Sequence, residues 1–452
     1  MNRLKIGGLC KQKRNELNLS LEQAGEKFGI SPASISNIER GVNNVHKNLL
    51  KEYIIQIGLE EEIFAIIPAS KKKELEILSE LDYIDGLVDA GKTKYALQRL
   101  KKMDAKILNT KDKTAAHALS EFIKGRCFFE ERSFNKSKKH FRQAISLVEQ
   151  TPEIEDSNII AASLNEMSRI AYFENDLKGA LEFTNDGLWS YISNGERTYT
   201  KYYLLVNKSL YLERLNCVEE SLECIEELEK ELKSIDADKA FEISSEIIIH
   251  MHIKFASILS KLKLRNKALT YAKQGLKIAK SQKRFNDVFT LHTDMGNILL
   301  KVGNPQKAAE HFADALEFRN YIRKKHLLIP AYIGLGKIKL QKKKWIESEK
   351  YLQKAVALGE ENNLIIECVA ALISLADCHL KQKNYKKAIK VLNKALLMTK
   401  QNNQNNLKNH EKNIVMRLCK CYKSIKDNIK YQEYVNSLFA IIETLEGSDF
   451  NA

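Results

Sequence analysis

With 452 residues, 44% of them hydrophobic and 29% charged but only 5 Pro and 19 Gly, the chain reads as a folded, all-α protein, because strands and their turns ask for more Gly and Pro. No apolar run approaches the roughly 20 residues that span a bilayer, and no apolar signal-peptide core opens the chain, so a cytoplasmic protein with no membrane partner is expected. The eight cysteines sit scattered among apolar helical positions, as reduced thiols packed like small hydrophobes do.

Residues 3–18 suit a short amphipathic helix with apolar positions at 6, 9 and 17. Ser20 follows as an N-cap, with Gln23 three residues on to complete a capping box, and Gly29 supplies the positive φ that ends the second helix. Ser31 then caps a third helix with Pro32 at its first position, where the missing N–H costs nothing. Gly25 is small where the helices cross, and Ile35 and Ile38 share the inward face. The outward face carries Pro32, Ala33, Ser34, Ser36, Asn37 and Arg40, short or polar side chains that can approach base edges in a major groove.

Residues 3–67 resemble the Cro/cI (XRE) class of helix-turn-helix DNA-binding domains, through Ser20–Phe28, Gly29-Ile30-Ser31 and the Ile38-Glu39-Arg40-Gly41 ending. That resemblance implies a partly buried ion pair between Arg14 and Glu39 and a DNA reader over residues 1–67. Gly25 stands where that class usually has Ala, and Leu21 where a Gln often contacts DNA, so it does not carry over a sequence preference.

Pro68-Ala69-Ser70 breaks the chain, and residues 71–446 then show a repeat. Gly296, Leu299, Ala308, Phe312 and Ala315 recur in offset as Gly125, Phe128, Ser137, Phe141 and Ala144. Gly336, Ser348, Leu352 and Ala355 form another copy, as do Ala376, Ala388, Leu392 and Ala395. Counted by the small residue of the second helix, the anchors are Ala96, Ser137, Ala180, Ser221, Ala268, Ala308, Ser348 and Ala388. The pattern resembles the tetratricopeptide repeat (TPR), about eight copies plus a C-terminal cap, with 401–406 as a polar loop. It implies an α-solenoid wound as a right-handed superhelix with a concave groove.

Helix positions three before and one after the first-helix anchor should face that groove. They include Phe122, Arg126, Asn165, Arg169, Asn297, Lys337 and Asp377, with Asn207 close by and Ile253, Thr293 and Ile333 between them. An Asn amide donates and accepts like a peptide group, and an Arg fork clamps a carboxylate. The alternative is an ordinary solvated groove wall.

A helix-turn-helix joined to such an array resembles the RRNPP class of peptide-responsive regulators, in its NprR/PlcR-like branch that keeps the DNA-binding domain. That resemblance implies a quorum-sensing transcriptional regulator whose partners are a double-stranded DNA operator, a short signalling oligopeptide and a second copy of the chain. A homodimer also suits two half-sites about 34–36 Å apart. Two alternatives share the architecture: a phage arbitrium-type receptor governing lysis and lysogeny, and a bifunctional protein that also docks a response regulator. A TPR scaffold without DNA binding is a third.

The net charge of +15 does not single out the DNA reader. Residues 1–51 hold nine Lys/Arg against four acidic residues, whereas 381–430 hold fourteen against two. Solvated helix faces, DNA phosphates or an acidic partner all accommodate the second cluster.

No enzyme, cofactor or metal is expected. His250 and His252 are two apart on a helix and point apart; Cys419 and Cys421 lack a second pair, and Cys368 and Cys378 lack a matching His cluster. No Walker-type loop or nucleophile motif appears.

Overall fold

The computed structural model describes residues 3–42, 47–66, 69–108, 114–235, 244–322, 325–401 and 407–449, and every regular element among them is helical. Contacts divide the chain into two compact units, residues 1–159 with 192–196 and residues 160–191 with 197–452.

The first unit opens with α1 (Arg3–Glu16), α2 (Leu21–Phe28), α3 (Pro32–Glu39), α4 (Lys47–Gln56) and α5 (Glu60–Ile66). The capping box forms as the sequence predicts: the Ser20 hydroxyl accepts from the Gln23 amide at 3.1 Å, and the Gln23 side chain accepts from the Ser20 amide at 2.9 Å. Gly29 ends α2 at φ 66°. The first helix stops at Glu16, two residues early, because Asn18 turns the chain at φ 55°.

Gly25 has no room for a side chain, since a Cβ there would lie 2.9 Å from the Ile30 carbonyl oxygen. Gly7 is tighter still, with α3 backbone oxygen 2.4 Å from where its Cβ would stand, so α1 crosses α3 backbone to backbone. Ile6, Phe28, Ile35, Ile38, Tyr53 and Leu59 fill the core between these helices. The expected ion pair is there: Arg14 Nε and Nη2 donate to the two Glu39 carboxylate oxygens at 2.7 and 2.9 Å.

Helical hairpins follow. The first unit holds α6 (Ala69–Asp89) with α7 (Thr93–Leu108), and α8 (Thr114–Glu130) with α9 (Phe134–Glu149). The second unit begins with α10 (Ile159–Phe173) and α11 (Leu177–Trp189), then α12 (Tyr199–Leu215) and α13 (Val218–Ser234), then α14 (Ser245–Lys261) and α15 (Arg265–Ser281). It continues with α16 (Phe285–Lys301) and α17 (Pro305–Glu317), α18 (Leu328–Gln341) and α19 (Trp345–Glu361), α20 (Ile365–Lys381) and α21 (Tyr385–Gln401), and ends with α22 (Lys408–Ser424) and α23 (Asn428–Asp449). The polar loop expected at 401–406 falls, after residue 401, outside the described residues.

All eight predicted anchors are fully buried. Where the anchor is Ser, its hydroxyl donates to a carbonyl 12 residues back on the partner helix: Ser137 to Gly125 at 2.7 Å, Ser221 to Ser209 at 2.7 Å, and Ser348 to Gly336 at 2.8 Å. The buried hydroxyl is therefore satisfied, and it ties the two helices of the hairpin together. The aromatic position works by shape. The Phe312 ring is buried between Gly296 and Gly334, whose Cβ positions would fall 2.8 and 2.2 Å from ring atoms.

Within the second unit the solenoid comes back on itself. Asn175, in the α10–α11 turn, donates to the Asn363 carbonyl at 3.0 Å, and Arg214 of α12 pairs with Glu367 of α20 at 2.7 Å. The Phe173 ring meets His326 edge-on at 6.2 Å.

Candidate DNA-reading helix and ligand cavity

On α3, Pro32, Ala33 and Arg40 are exposed and Ser34, Ser36 and Asn37 half-exposed, while Ile35 and Ile38 are buried. The helix thus presents the predicted small and polar groups on its solvent-accessible side, opposite Ile35 and Ile38. Two of those groups are partly engaged: Ser34 bonds the Ser31 hydroxyl at 2.8 Å, and Arg40 donates to the Asn37 side-chain oxygen. The Asn37–Arg40 bond orients the Asn amide and keeps the guanidinium beside it on the exposed face.

The predicted groove residues separate into spent and unspent groups. In the first unit, the Phe122 ring is buried against Phe141 at a centroid distance of 5.8 Å, so it packs the hairpin and offers no face to a ligand. Arg126 in the same unit is bound to Asp85 and Asp89 of α6. In the second unit, Arg169 is held by Glu166 at 2.7 and 2.8 Å, and Asp377 receives both arms of the Arg417 fork at 2.8 and 2.9 Å. Asn165 is buried and accepts from Asn207 at 2.9 Å, which links α10 to α12. Thr293 is buried with its hydroxyl unpartnered among the described residues, and Ile253 and Ile333 pack against apolar cores.

Asn297 and Lys337 are different. They line a cavity of about 400 Å³ among α14, α16 and α18, together with Ser257, Ser260, Lys261, Asp294, Lys301 and Gln341. Behind it lies a second-layer carboxylate, Glu213 of α12, which meets Lys254 at 3.2 Å, the Lys261 ammonium at 3.3 Å and the Ser257 hydroxyl at 2.5 Å. Burial alone would raise the Glu213 carboxyl; the two lysines and the hydroxyl overcome that and hold it at about 2. Burial raises Asp294 to about 7, against the pull of Lys254 and Lys301 and with the Glu213 charge adding to the rise.

The groove rule picks out positions one turn apart on each first helix, and so passes over Asp294 and Lys301. Yet Asp294, Asn297 and Lys301 are spaced three and four apart and share one face of α16.

Two ring nitrogens and a carboxylate, from His292, His311 and Asp314, come within 4.8 Å of one another between α16 and α17. The His292 and His311 Nδ1 atoms are 3.2 Å apart, a distance that a hydrogen bond between one protonated and one bare nitrogen satisfies. The two histidines are 19 residues apart, so no spacing along the chain announces them. His250 and His252 point apart, the first toward Asp287 at 3.5 Å and the second into the core near Tyr271.

Residues 11–64 match the helix-turn-helix family, and residues 287–361 and 327–401 match the tetratricopeptide repeat. The chain joins a helix-turn-helix to tetratricopeptide repeats. Among solved structures, the apo form of RapI is similar with a TM-score of 0.55 at 12% identity, over 82% of this chain and 98% of that one. The apo quorum sensor NprR from B. thuringiensis is similar with a TM-score of 0.52 at 13% identity, over 78% and 94%. Both neighbours are RRNPP proteins, and at these identities the likeness is one of fold. A curated relative, response regulator aspartate phosphatase J of Bacillus subtilis (strain 168), is 29% identical over 98 residues, 22% of this chain. That match spans only 26% of the relative. Among the described residues of this helix-turn-helix TPR protein, no helix is long and apolar enough to cross a membrane.

Proposed function

We propose that this chain is a peptide-responsive transcriptional regulator. Residues 1–67 bind operator DNA through α3, residues 71–446 form the sensor that takes a short signalling oligopeptide, and the chain acts as a homodimer. The observation that carries the reading is the solvent-accessible polar face of α3, presented by a helix-turn-helix that shares its chain with TPR hairpins holding an open polar cavity. A single reading helix makes few base contacts, so two copies on two half-sites supply the affinity and specificity that one lacks. The family matches name binding modules, and the sensor needs no chemistry beyond reversible binding.

The test is fluorescence anisotropy with double-stranded DNA from immediately upstream of the protein's own gene, at fixed salt. Ser34→Glu and Asn37→Glu should each weaken binding at least about tenfold, as loss of a base contact and an added charge against phosphate both do. Unchanged binding by both variants would sink the assignment of α3 as reader.

A second reading, docking of a response-regulator protein, draws on the shared segment with the B. subtilis relative and on exposed lysines such as Lys386, Lys387 and Lys390 of α21. It requires that the full chain bind an acidic receiver domain and that Lys386→Glu with Lys390→Glu abolish the binding.

A further inference from the structure

The cavity among α14, α16 and α18 carries a charge pattern that specifies more than a peptide of any kind. Three lysines reach it, and they are not equivalent. Lys261 is committed: its ammonium donates to the Glu213 carbonyl at 2.8 Å and lies 3.3 Å from the Glu213 carboxylate. Lys301 donates only to the Ser260 hydroxyl at 3.2 Å, and neither it nor Lys337 has a carboxylate within ion-pair distance among the described residues. Burial lowers both of these ammonium groups, as it does for cations short of a counter-charge. Asn297, one helical turn from Lys301, has both halves of its amide free of partners among the described residues.

We propose that this cavity is a carboxylate subsite: Lys301 and Lys337 take a carboxylate of the bound peptide, and Asn297 pairs with the adjoining peptide unit. The inference rests on the peptide-receptor reading above and narrows it to peptides that bring an acidic side chain or a free C-terminus to this point. Behind the wall Lys254 and Lys261 outnumber Glu213 by one positive charge, and Arg417 pairs with Asp377, so the surroundings add no excess of negative charge. The volume, about 400 Å³, lies within the range of small-ligand pockets.

Affinity selection with the full-length protein tests this, using a randomised heptapeptide pool synthesised in matched forms. One arm carries Asp at a fixed position and its partner Asn there; a second pair ends in a free acid or an amide. The wild-type protein should retain one acidic form over its neutral partner by about tenfold or more, the scale of a charge-assisted hydrogen bond. The arm that shows the preference identifies its source as side chain or C-terminus. Lys301→Met with Lys337→Met should bring the ratio near one while neutral peptides are retained as before. Lys337→Arg, which keeps the charge, should preserve the preference and controls for folding. Retention without preference, or a preference that survives the double Met variant, overturns the subsite but leaves the receptor standing. Retention of no peptide in any form overturns the receptor reading itself.

Discussion

Replacing Arg14 by Met should unfold or nearly unfold the helix-turn-helix while leaving the second unit folded. The Arg14 and Glu39 side chains are 9% and 4% exposed, and the guanidinium makes two bonds to the carboxylate and a third, at 2.7 Å, to the Leu19 carbonyl. Tyr53 adds a bond to Glu39 at 3.1 Å; burial and the neighbouring Glu39 charge raise its hydroxyl, which keeps it a donor. With Met at 14, Glu39 keeps that one donor and no counter-charge. Breaking a buried pair from one side costs about 3–5 kcal/mol. A domain of this size has roughly 3–10 kcal/mol in total, so one substitution removes a third or more of it.

The double variant Arg14→Met with Glu39→Leu removes both charges and takes a partner only from the Tyr53 hydroxyl and the Leu19 carbonyl, at about 1 kcal/mol each. It should therefore be more stable than the single variant by about 2 kcal/mol. Hydrogen exchange of the α1–α3 amides in the full-length protein reads this directly. The single variant should exchange at least about 100-fold faster than wild type, and the double variant should recover at least tenfold of that. A single variant within tenfold of wild type, or a double variant worse than the single, would refute the reasoning.

Two further outcomes follow from the repeat packing. Gly334→Ala places a methyl 2.2 Å from the Phe312 ring, which Gly296 blocks from the other side, so the urea midpoint should fall by the equivalent of about 1–3 kcal/mol and recover with Phe312→Leu. His292 is held at about 4, first by burial and then by Lys280, against an ordinary 6.5. The unfolded chain then binds the extra proton, so stability should rise with pH between about 4 and 6.5, by up to roughly 3 kcal/mol. Urea titrations across that window should show the slope reduced by about one proton in His292→Asn; an unchanged slope would assign the effect elsewhere.

The sequence discloses what depends on neighbours along the chain. The Ser20–Gln23 box, the Gly29 turn and the anchors at intervals of about 40 residues are local or periodic, and the structure places each as expected. Groove lining is not local. A helical-wheel rule works from one helix at a time and cannot see that Asp85 and Asp89 claim Arg126, that Arg417 claims Asp377, or that Phe122 turns into the hairpin. It found Asn297 and Lys337, the two predicted residues that line the open cavity, and missed Lys301 one turn further on. The repeat turns are also quieter than their glycines suggest. Lys263, Lys343, Lys383 and Lys426 take φ between 57° and 64° at the same place in their hairpins where Gly303 stands at 82°. A lysine there carries a cost of about 1–2 kcal/mol, which the hairpin packing outweighs and no turn signature records.

The closure of the second unit shows the same limit on a longer scale. Asn175 and Asn363 are 188 residues apart, and no repeat offset connects them. Nor do its two polar contacts by themselves have the strength to impose the closure. Arg214 and Glu367 are 29% and 17% exposed, and a pair so placed contributes about 1 kcal/mol or less, with the neighbouring amide bond worth about as much again. Against this stands the packing of successive hairpins, each burying a full anchor layer such as Ala308, Phe312 and Ala315. Deleting one large side chain from such a layer costs about 3–5 kcal/mol, more than the two polar closing contacts together. The small residues at the anchors therefore set the curvature that brings α12 to α20, and Arg214 and Glu367 meet because the repeats have already carried them there.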